Sequence, residues 1–258
     1  MKPVTRLLMG LVLPAVVFVA WWFLSADSAS PYFPPLSQSL EAFADAWLFD
    51  RFLSDLVPSI WRFLSGLALG TIAGLVLGTF MGLSPRLRRD LSPMTEFVRS
   101  IPTAGLVPPA LLLFGAGYRM ETLLVAAAVF FPILISTTDG VRGVDPVNVE
   151  VARCYGLSPS QRLWRVIVPA ATPQILAGAR IALSIGLAAM VIANMTASNS
   201  GLGYFIIDAK TRFDLSAMWA GLIMIGLLGY LANAGFLLLQ RRLLAWHRGW
   251  RGATSDVT

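Results

Sequence analysis

The sequence is poor in the residues on which most metalloproteins and hydrolases depend. It has one cysteine, Cys154, and one histidine, His247, which excludes an intrachain disulfide, a cysteine metal cluster and an HExxH zinc site. Its only lysines, Lys2 and Lys210, do not follow a glycine, which excludes a phosphate-binding loop of the GxxxxGKS/T type. No serine lies in a GxSxG motif. We therefore predict no catalytic residue, no metal site and no cofactor, and a membrane hydrolase is the least favoured class of function.

Charged residues are also scarce, at 13% of the chain, whereas hydrophobic residues make up 56%. This balance is far from that of a soluble domain and indicates an integral membrane protein. At roughly 20 residues a span, 258 residues hold about six transmembrane helices with short loops. We therefore expect an all-α membrane protein with one transmembrane domain, residues 1–258. A net charge of +6 would suggest nucleic acid for a soluble protein, but the apolar composition argues against that partner and for membrane lipid.

The apolar runs predict the six spans. They cover residues 7–24, 61–81, 98–114, 122–136, 175–195 and 217–239. A cleaved signal peptide is the alternative for the first run, but that run is longer than a usual signal core and ends in an aromatic pair typical of a membrane interface, Trp21 and Trp22. Prolines in the third and fourth spans free backbone groups that need partners, which predicts that both spans face the bundle interior.

The sequence predicts loops and one surface helix between the spans. In residues 27–58, apolar side chains recur at near-helical spacing among acidic ones. This pattern predicts an amphipathic helix that either lies on the outer membrane face or packs on the bundle. Arg86, Arg88 and Arg89 predict a cytoplasmic loop after the second span, and residues 198–214 predict an outer loop.

The basic residues predict the orientation. With these spans, thirteen of the twenty Lys and Arg residues fall on one side of the membrane and five on the other. Cytoplasmic loops carry the excess of Lys and Arg. Both termini and the segment 139–173 are therefore predicted to be cytoplasmic.

Glycines recur at every fourth residue of the second span, namely Gly66, Gly70, Gly74, Gly78 and Gly82. Residues spaced by four lie on one face of a helix. Because glycine has no side chain, a neighbouring helix backbone can approach this face closely. We predict that these glycines pack helices together and bind no ligand.

The segment 150–173 is charged and rich in turn residues, and it lies between two apolar runs. Its first six residues can form a helix that Gly156 ends in a left-handed conformation. Ser158 can cap a second short helix that begins at Pro159. Pro169 and Pro173 are expected to break this second arm before the fifth span. The sequence thus predicts a helix, a sharp turn and a second helix between two spans.

Apolar and basic side chains alternate near this turn. Leu157, Leu163 and Trp164 offer apolar surface, and Arg162 and Arg165 keep the segment in water. Such a surface suits insertion into a groove of another protein. An ordinary amphipathic loop on the membrane surface is the alternative.

The same segment resembles the EAA loop of ABC importer permeases, whose pattern is roughly EAA, three residues, G, and later I or V, one residue, LP. The matching residues are Glu150, Ala152, Gly156, Val166 and Pro169, with valine in place of one alanine and of the leucine. Other motifs resemble the branch that imports nitrate, sulfonates, taurine, bicarbonate and related compounds. They are SIWRFLSG (59–66), RSIP (99–102), FFPI (130–133), GVRGVDP (140–146) and SGLGY (200–204).

This resemblance implies the type I ABC importer transmembrane fold, a location in the bacterial inner membrane, and a permease that leaves ATP hydrolysis to a partner. The implied partners are two copies of an ABC ATPase, a second permease copy that forms a homodimer, and a periplasmic or extracellular solute-binding protein. The solute would be small and polar or anionic, like a sulfonate, taurine or nitrate. The implied coupling residues, which dock in a cleft of the ATPase, are Glu150, Ala152, Gly156, Leu157, Ser158, Pro159, Gln161, Leu163, Trp164 and Pro169.

Polar residues of the fifth span and its outer end are candidates for contact with the solute. They are Arg180, Asn194, Thr196, Asn199 and Ser200. The resembling branch commonly has a glutamate where this chain has Asn194, which leaves the solute open. Helix-end capping and hydrogen bonds between helices are the alternative for the four uncharged residues. Arg180 either reaches the cytoplasmic interface or lines the inner mouth of the pathway.

The competing functional class is a channel or secondary carrier that works without an ATPase. Many carriers are built from inverted repeats. The two halves of this chain show no convincing repeat.

Overall fold

The structure, a computed structural model, describes residues 12, 16–26, 28, 30 and 32–244. Every regular element in these residues is helical. The helices are α1 (Val16–Ser25), α2 (Leu36–Ala44), α3 (Val57–Leu83), α4 (Pro85–Arg99), α5 (Val107–Phe114), α6 (Tyr118–Arg142), α7 (Pro146–Cys154), α8 (Pro159–Arg162), α9 (Val168–Ala197), α10 (Leu202–Thr211) and α11 (Leu215–Leu243). Wider π-helical turns cover Asp45–Asp50, Phe52–Leu56 and Leu163–Ile167, and a 3-10 turn covers Thr103–Leu106.

Four stretches of the described chain are long and apolar enough to cross a membrane. They are Phe52–Leu83, Tyr118–Arg142, Pro159–Thr196 and Leu215–Leu243. α4 and the stretch Thr103–Phe114 meet at 85° and make a fifth span if the bent pair crosses as one. The prediction of an all-α membrane protein is confirmed. The predicted first span corresponds to the shorter helix α1, and residues 7–11 and 13–15 lie outside the described residues.

Two predicted loops are helices in the structure. Arg86, Arg88 and Arg89 lie in the first turns of α4, whose start is capped by the Ser84 hydroxyl, which accepts a hydrogen bond from the backbone N–H of Leu87 at 3.3 Å. The arginine cluster indicated a side of the membrane but carried no information on backbone conformation, whereas the Ser-Pro start was a helix signal. Within the predicted outer loop 198–214, residues Leu202–Thr211 form α10.

The predicted break at Pro169 and Pro173 is wrong, because Pro159–Thr196 is one continuous helical stretch. A proline in a helix loses one hydrogen bond, and its ring clashes with the carbonyl four residues earlier. The carbonyl four residues before Pro169 belongs to Arg165, which lies in the π-helical turn Leu163–Ile167. That turn has i to i+5 hydrogen bonds and a wider backbone, and it absorbs the clash locally.

The contacts divide the chain into two compact units, residues 1–58 with 200–226, and residues 59–199 with 227–258. In the first unit, the Trp47 side chain is buried. Its indole N–H donates to the Ala220 carbonyl at 3.3 Å, and its ring centroid lies 4.8 Å from that of Phe205. The amphipathic stretch predicted in residues 27–58 therefore packs on other helices of its unit through this tryptophan.

α6 is the central helix of the second unit, and 61% of its most apolar 18-residue stretch is buried. The glycine face of α3 lies directly against it. A Cβ added at Gly66 would lie 2.6 Å from the Val125 Cβ, and one added at Gly78 would lie 2.8 Å from the Leu134 carbonyl oxygen. Real Cβ atoms essentially never come this close. The two backbones approach to a distance that only glycine permits at these positions.

α9 packs on α6 as well, and glycine again permits the approach. A Cβ at Gly186 would lie 2.8 Å from Val129 Cγ2, and one at Gly178 would collide with the Ser136 side chain. The interior position predicted for the fourth span is thus observed for α6. The same prediction fails for the third span, because α4 has no buried residue, α5 buries only Val107, and a cavity of about 600 Å³ lies beside their bend.

Candidate functional site

The turn between α7 and α8 has the conformation that its sequence predicts. Gly156 has a φ of +72°, and the N–H of Leu157 donates to the Ala152 carbonyl at 3.1 Å. Ser158 and Gln161 form a capping box, in which the Ser158 N–H donates to the Gln161 side-chain oxygen at 2.9 Å and the Gln161 N–H donates to the Ser158 hydroxyl at 3.4 Å. Reciprocal bonds of this kind fix the entry of α8. The turn is therefore a defined corner.

One face of this corner is apolar and exposed. Val147, Val151 and Tyr155 follow each other at spacings of four, so they lie on one side of α7, and their exposed fractions are 61%, 47% and 81%. Trp164 is 67% exposed. Leu163 instead packs against a buried cluster that includes Val141, Ile167 and Ala171, and Leu157 is half-buried. Of the three apolar residues predicted to be exposed near the turn, only Trp164 is largely exposed.

The remaining predicted coupling residues surround this corner. Glu150, Pro159 and Gln161 are exposed, Ala152 is buried, and Pro169 is half-buried. The Ala152 carbonyl accepts the hydrogen bond that closes the turn, and its side chain is buried and so supports the turn from inside. The structure therefore brings the turn residues together and separates them into exposed and supporting groups.

A buried polar cluster joins three helices at the other end of α6. The Arg62 guanidinium donates to both Glu121 carboxylate oxygens, at 3.0 and 3.2 Å, and to the Ser198 hydroxyl at 3.2 Å. The Asn194 amide also donates to Glu121, and the Ser59 hydroxyl donates to the Asn194 carbonyl oxygen at 3.0 Å. Glu121 and Asn194 have no exposed surface. A charge in such a place is tolerated because it is paired and hydrogen-bonded.

The candidate solute-contact residues do not form one group. Asn194 belongs to the buried cluster, whereas Arg180, Thr196 and Asn199 are exposed on or after α9. The Thr196 hydroxyl donates to the backbone carbonyl of Ile192 at 2.8 Å, within its own helix. Ser200 is half-buried in the other unit. In this structure Asn194 makes hydrogen bonds between helices, which was the alternative given for it.

An aspartate fixes the backbone at the SGLGY motif of the first unit. The Gly201 N–H donates to the Asp55 carboxylate at 2.6 Å, and Gly201 has a φ of +114°, which favours glycine. Arg51 lies 3.4 Å from the same carboxylate. Asp55 is 1% exposed, so the bond forms away from water. The carboxylate therefore positions the start of α10.

Comparison with known proteins identifies the family. A family model described as the inner membrane component of binding-protein-dependent transport systems matches residues 66–245. The chain belongs to this family. The resemblance to ABC transporter permeases seen in the sequence is thereby confirmed.

Relatives of this permease carry names that refer to aliphatic sulfonates, taurine and formylaminopyrimidine. SsuC of Bacillus subtilis, whose name refers to aliphatic sulfonates transport, is 35% identical over 246 residues, which are 94% of this chain and 89% of that protein. The taurine transport system permease protein TauC of Escherichia coli is 34% identical over 244 residues, 90% of this chain and 87% of the relative. The formylaminopyrimidine transport permease protein ThiX of Halalkalibacterium halodurans is 30% identical, with 71% and 73% covered.

Solved structures support the fold of this permease. The MetNI methionine ABC transporter in an inward-facing conformation matches with a TM-score of 0.60 at 19% identity, over 73% of this chain and 95% of that chain. An amino acid ABC transporter crystallised with histidines matches with a TM-score of 0.56 at 16% identity, over 83% and 96%. The type I importer transmembrane fold expected from the sequence is confirmed.

The buried ion pair of Arg62 and Glu121 is the feature of this permease that sequence reasoning missed. Arg62 lies at the start of the predicted second span and Glu121 just before the predicted fourth, and 59 positions separate them. The usable signal was that one basic and one acidic residue border two spans at their predicted outer ends. Opposite charges at the same depth of a bundle are candidates for a pair.

Proposed function

We propose that this permease is the membrane subunit of an ATP-driven importer for a small sulfonate or taurine-like solute, and that the corner between α7 and α8 receives motion from a separate ATPase. Two permease copies would form the pathway, two ATPase copies would bind the corners, and a solute-binding protein would deliver solute from outside. Both termini and the corner would face the cytoplasm of a bacterial cell. The permease would hydrolyse no ATP itself.

The observation that carries the proposal is the exposed apolar face of the corner. Tyr155 and Trp164 are large, mostly exposed, and mounted beside a turn that a capping box holds rigid. A soluble protein rarely leaves such side chains uncovered unless a partner binds them. Aromatic residues are also the usual anchors of protein interfaces. A groove in the ATPase would bury this face.

Coupling would follow from the continuity of the chain behind the corner. α8, the π-helical turn and α9 form one helical stretch, Pro159–Thr196. A displacement of α8 would therefore move the inner end of α9. Transport needs two packings of similar energy, one open to each side, and the ATPase cycle would shift the balance between them.

The solute class rests on the names of the relatives and on one exposed charge. SsuC and TauC are named for aliphatic sulfonates and taurine, both of which carry a sulfonate group. Arg180 is exposed on α9, where a guanidinium can attract such an anion in a water-filled pathway. Thr196 and Asn199 are exposed polar residues farther along, and we assign them to the outer part of the same pathway. Asn194 is left to helix packing.

Gly156→Asp tests the proposed docking. An added Cβ at Gly156 meets no described atom within 4 Å, so in the isolated permease the substitution costs only the backbone strain of a side chain at a φ of +72°, and a bound partner would add an obstruction. We expect normal membrane insertion and loss of the ATPase in a detergent pull-down. Gly115→Asp is the matched control, because Gly115 has a φ of +71° and open surroundings at the opposite end of α6. A Gly156→Asp permease that retains the ATPase as well as Gly115→Asp does would refute the docking site.

Uptake in vesicles separates the importer from the alternative class. Permease and ATPase together, with binding protein and ATP, should accumulate labelled taurine, and permease alone should not. A channel or secondary carrier needs no ATPase. Uptake by the permease alone would establish that alternative.

A further inference from the structure

A basic cavity lies where α3 and α6 end and α9 is about to begin. Its volume is about 710 Å³. Leu83, Val141 and Ile167 contribute to it from the three long helical stretches, and residues of α4, α7 and α8 complete it. Four arginines line it, namely Arg88, Arg142, Arg153 and Arg162, and no aspartate or glutamate is among its described lining residues. The cavity therefore has a strong excess of positive charge.

This charge has little compensation within the described part of the chain. Arg142 lies 3.6 Å from Asp139, and both side chains are about half exposed. Arg88, Arg153 and Arg162 form no ion pair with a described residue.

Helix dipoles account for only some of these arginines. Arg142 and Arg153 occupy last turns, where a helix dipole favours a cation. Arg162 lies in the first turn of the continuous stretch Pro159–Thr196, where the dipole disfavours a cation.

Arg88 is half-buried in the first turn of α4, where the dipole disfavours a cation and the turn itself has no acidic residue. Glu96 and Asp139 line a neighbouring cavity with Arg88 but form no ion pair with it. An anion bound from outside the chain would therefore stabilise Arg88.

Apart from Ser160, the rest of the lining is apolar. Leu83, Val144, Val149 and Ile167 line the same cavity as the guanidiniums. A hydrated inorganic anion would gain nothing from these side chains. A ligand that combines an anionic group with an apolar body matches both parts of the wall, and the volume is ordinary for such a site.

We propose that this cavity binds an anionic phospholipid by its headgroup phosphate. The phosphate oxygens would accept hydrogen bonds from Arg88, Arg153 and Arg162, since guanidinium groups bind phosphate in a bidentate manner. The glycerol backbone and the first acyl carbons would lie against the apolar wall. Basic pockets between transmembrane helices on the cytoplasmic side are typical lipid sites. The placement of the cavity on the cytoplasmic side rests on the proposed function.

An acidic surface of the ATPase is the other possible occupant, and the structure favours the lipid. Val147, Val151, Tyr155 and Trp164, the exposed apolar face of the corner, are not among the residues that line the cavity. The exposed anchors of the docking face thus lie outside the cavity, although two predicted coupling residues, Pro159 and Leu163, line it. Docking and lipid binding would therefore be neighbours at α8 with different anchoring side chains. A bound lipid would support the corner from behind, at the ends of α3 and α6, and would make coupling depend on the anionic lipid content of the membrane.

The test compares two double variants that remove the same charge from the same two segments. Arg88→Gln with Arg162→Gln removes two cavity arginines. Arg89→Gln with Arg165→Gln removes two exposed arginines that do not line the cavity. Each permease is purified with its ATPase, delipidated, and titrated with fluorescent phosphatidylglycerol in about 0.5 M salt, where a Debye length of roughly 4 Å suppresses diffuse attraction.

We expect the cavity variant to bind phosphatidylglycerol at least about tenfold more weakly than the unchanged complex, and the control variant to stay within about twofold. Phosphatidylcholine should compete poorly, and inorganic phosphate at millimolar concentration should not compete. An equal loss in both variants, or no loss in either, would overturn the site. Competition by inorganic phosphate would assign the cavity to a free anion, and much tighter lipid binding by permease stripped of its ATPase than by the complex would assign the cavity to the protein interface.

These results do not depend on transport. Failure of the proposed function appears as retention of the ATPase by Gly156→Asp or as uptake without ATPase, whereas failure of the lipid site appears only in the titration. Co-purification of the ATPase with the cavity variant shows that the variant is folded.

Discussion

The close contact between α3 and α6 predicts a measurable cost for adding two methyl groups. In Gly74→Ala with Gly78→Ala, the first new Cβ would lie 2.8 Å from Ile133 Cγ2 and 2.9 Å from the Phe130 carbonyl oxygen. The second would lie 2.8 Å from the Leu134 carbonyl oxygen. These distances are about 0.5 to 0.6 Å short of the 3.4 Å at which ordinary contact begins. Carbonyl oxygens of a helix cannot rotate away, so the helices must separate.

The cost follows from how helices associate in lipid. Close packing drives that association, because lipid chains are as apolar as the side chains they replace. A radial gap of about 0.5 to 1 Å already loses roughly a quarter to a half of the dispersion energy of each contact. Over-packing typically costs about 1 to 3 kcal/mol for each site. Alanine has a better helix propensity than glycine by roughly 0.5 to 1 kcal/mol, which partly offsets this cost.

A matched double variant on α11 has the same gain in helix propensity, so comparison of the two variants isolates the packing cost. Gly226 and Gly235 lie within that helix, and an added Cβ at either meets no described atom within 4 Å. The free energy of unfolding should fall by roughly 1 to 3 kcal/mol per site in the α3 variant relative to the α11 variant. The assay is the midpoint of SDS-induced unfolding in mixed micelles, followed by circular dichroism. Equal midpoints for the two double variants would refute the close approach of α3 and α6.

Three further predictions concern single side chains. Asp55→Asn should lower the free energy of unfolding by about 1 to 2 kcal/mol in a thermal melt, because it weakens a charge-assisted hydrogen bond to the Gly201 N–H. Ser54→Ala should lower it by less, and the reverse order would contradict the role assigned to Asp55. Asn194→Leu should lower the free energy of unfolding by about 1 to 2 kcal/mol, because it removes two hydrogen bonds between helices. Thr196→Val should lower it much less, because the Thr196 hydroxyl bonds only its own helix. Equal shifts in melting temperature would count against the buried cluster. Cys154, exposed and the only cysteine of the chain, should react with an impermeant maleimide in inverted vesicles and not in intact cells, with Cys154→Ser as the blank, and labelling of intact cells would reverse the orientation.

Features set by neighbouring residues could be predicted from the sequence. The helical class followed from long apolar runs, and the corner followed from a glycine that permits positive φ two residues before a serine cap. Gly70 and its equivalents were placed on one helix face by spacing alone. The orientation of the corner and its contact with an ATPase remain predictions.

Features set by residues far apart in the chain were missed. Arg62 and Glu121 meet only because α3 and α6 pack side by side. Local sequence patterns do not show which helices pack together. The burial of Leu163 depends on Val141 and Ala171, which lie on other parts of the chain. The continuous path of the backbone through Pro169 depends on a π-helical turn that the proline rule does not anticipate.

The uninterrupted stretch Pro159–Thr196 has 38 residues and a length of roughly 57 Å, well beyond the thickness of the hydrocarbon layer. In the proposed coupling this stretch would act as one rigid rod, with the corner at one end and Asn194 near the other. A displacement of its cytoplasmic end would then reach Asn194 without crossing a loop. Asn194 is hydrogen-bonded to Glu121 of α6, which is paired with Arg62 of α3, so both helices would be displaced as well. If the corner binds the ATPase as proposed, one continuous helix would carry its movement to the far side of the membrane.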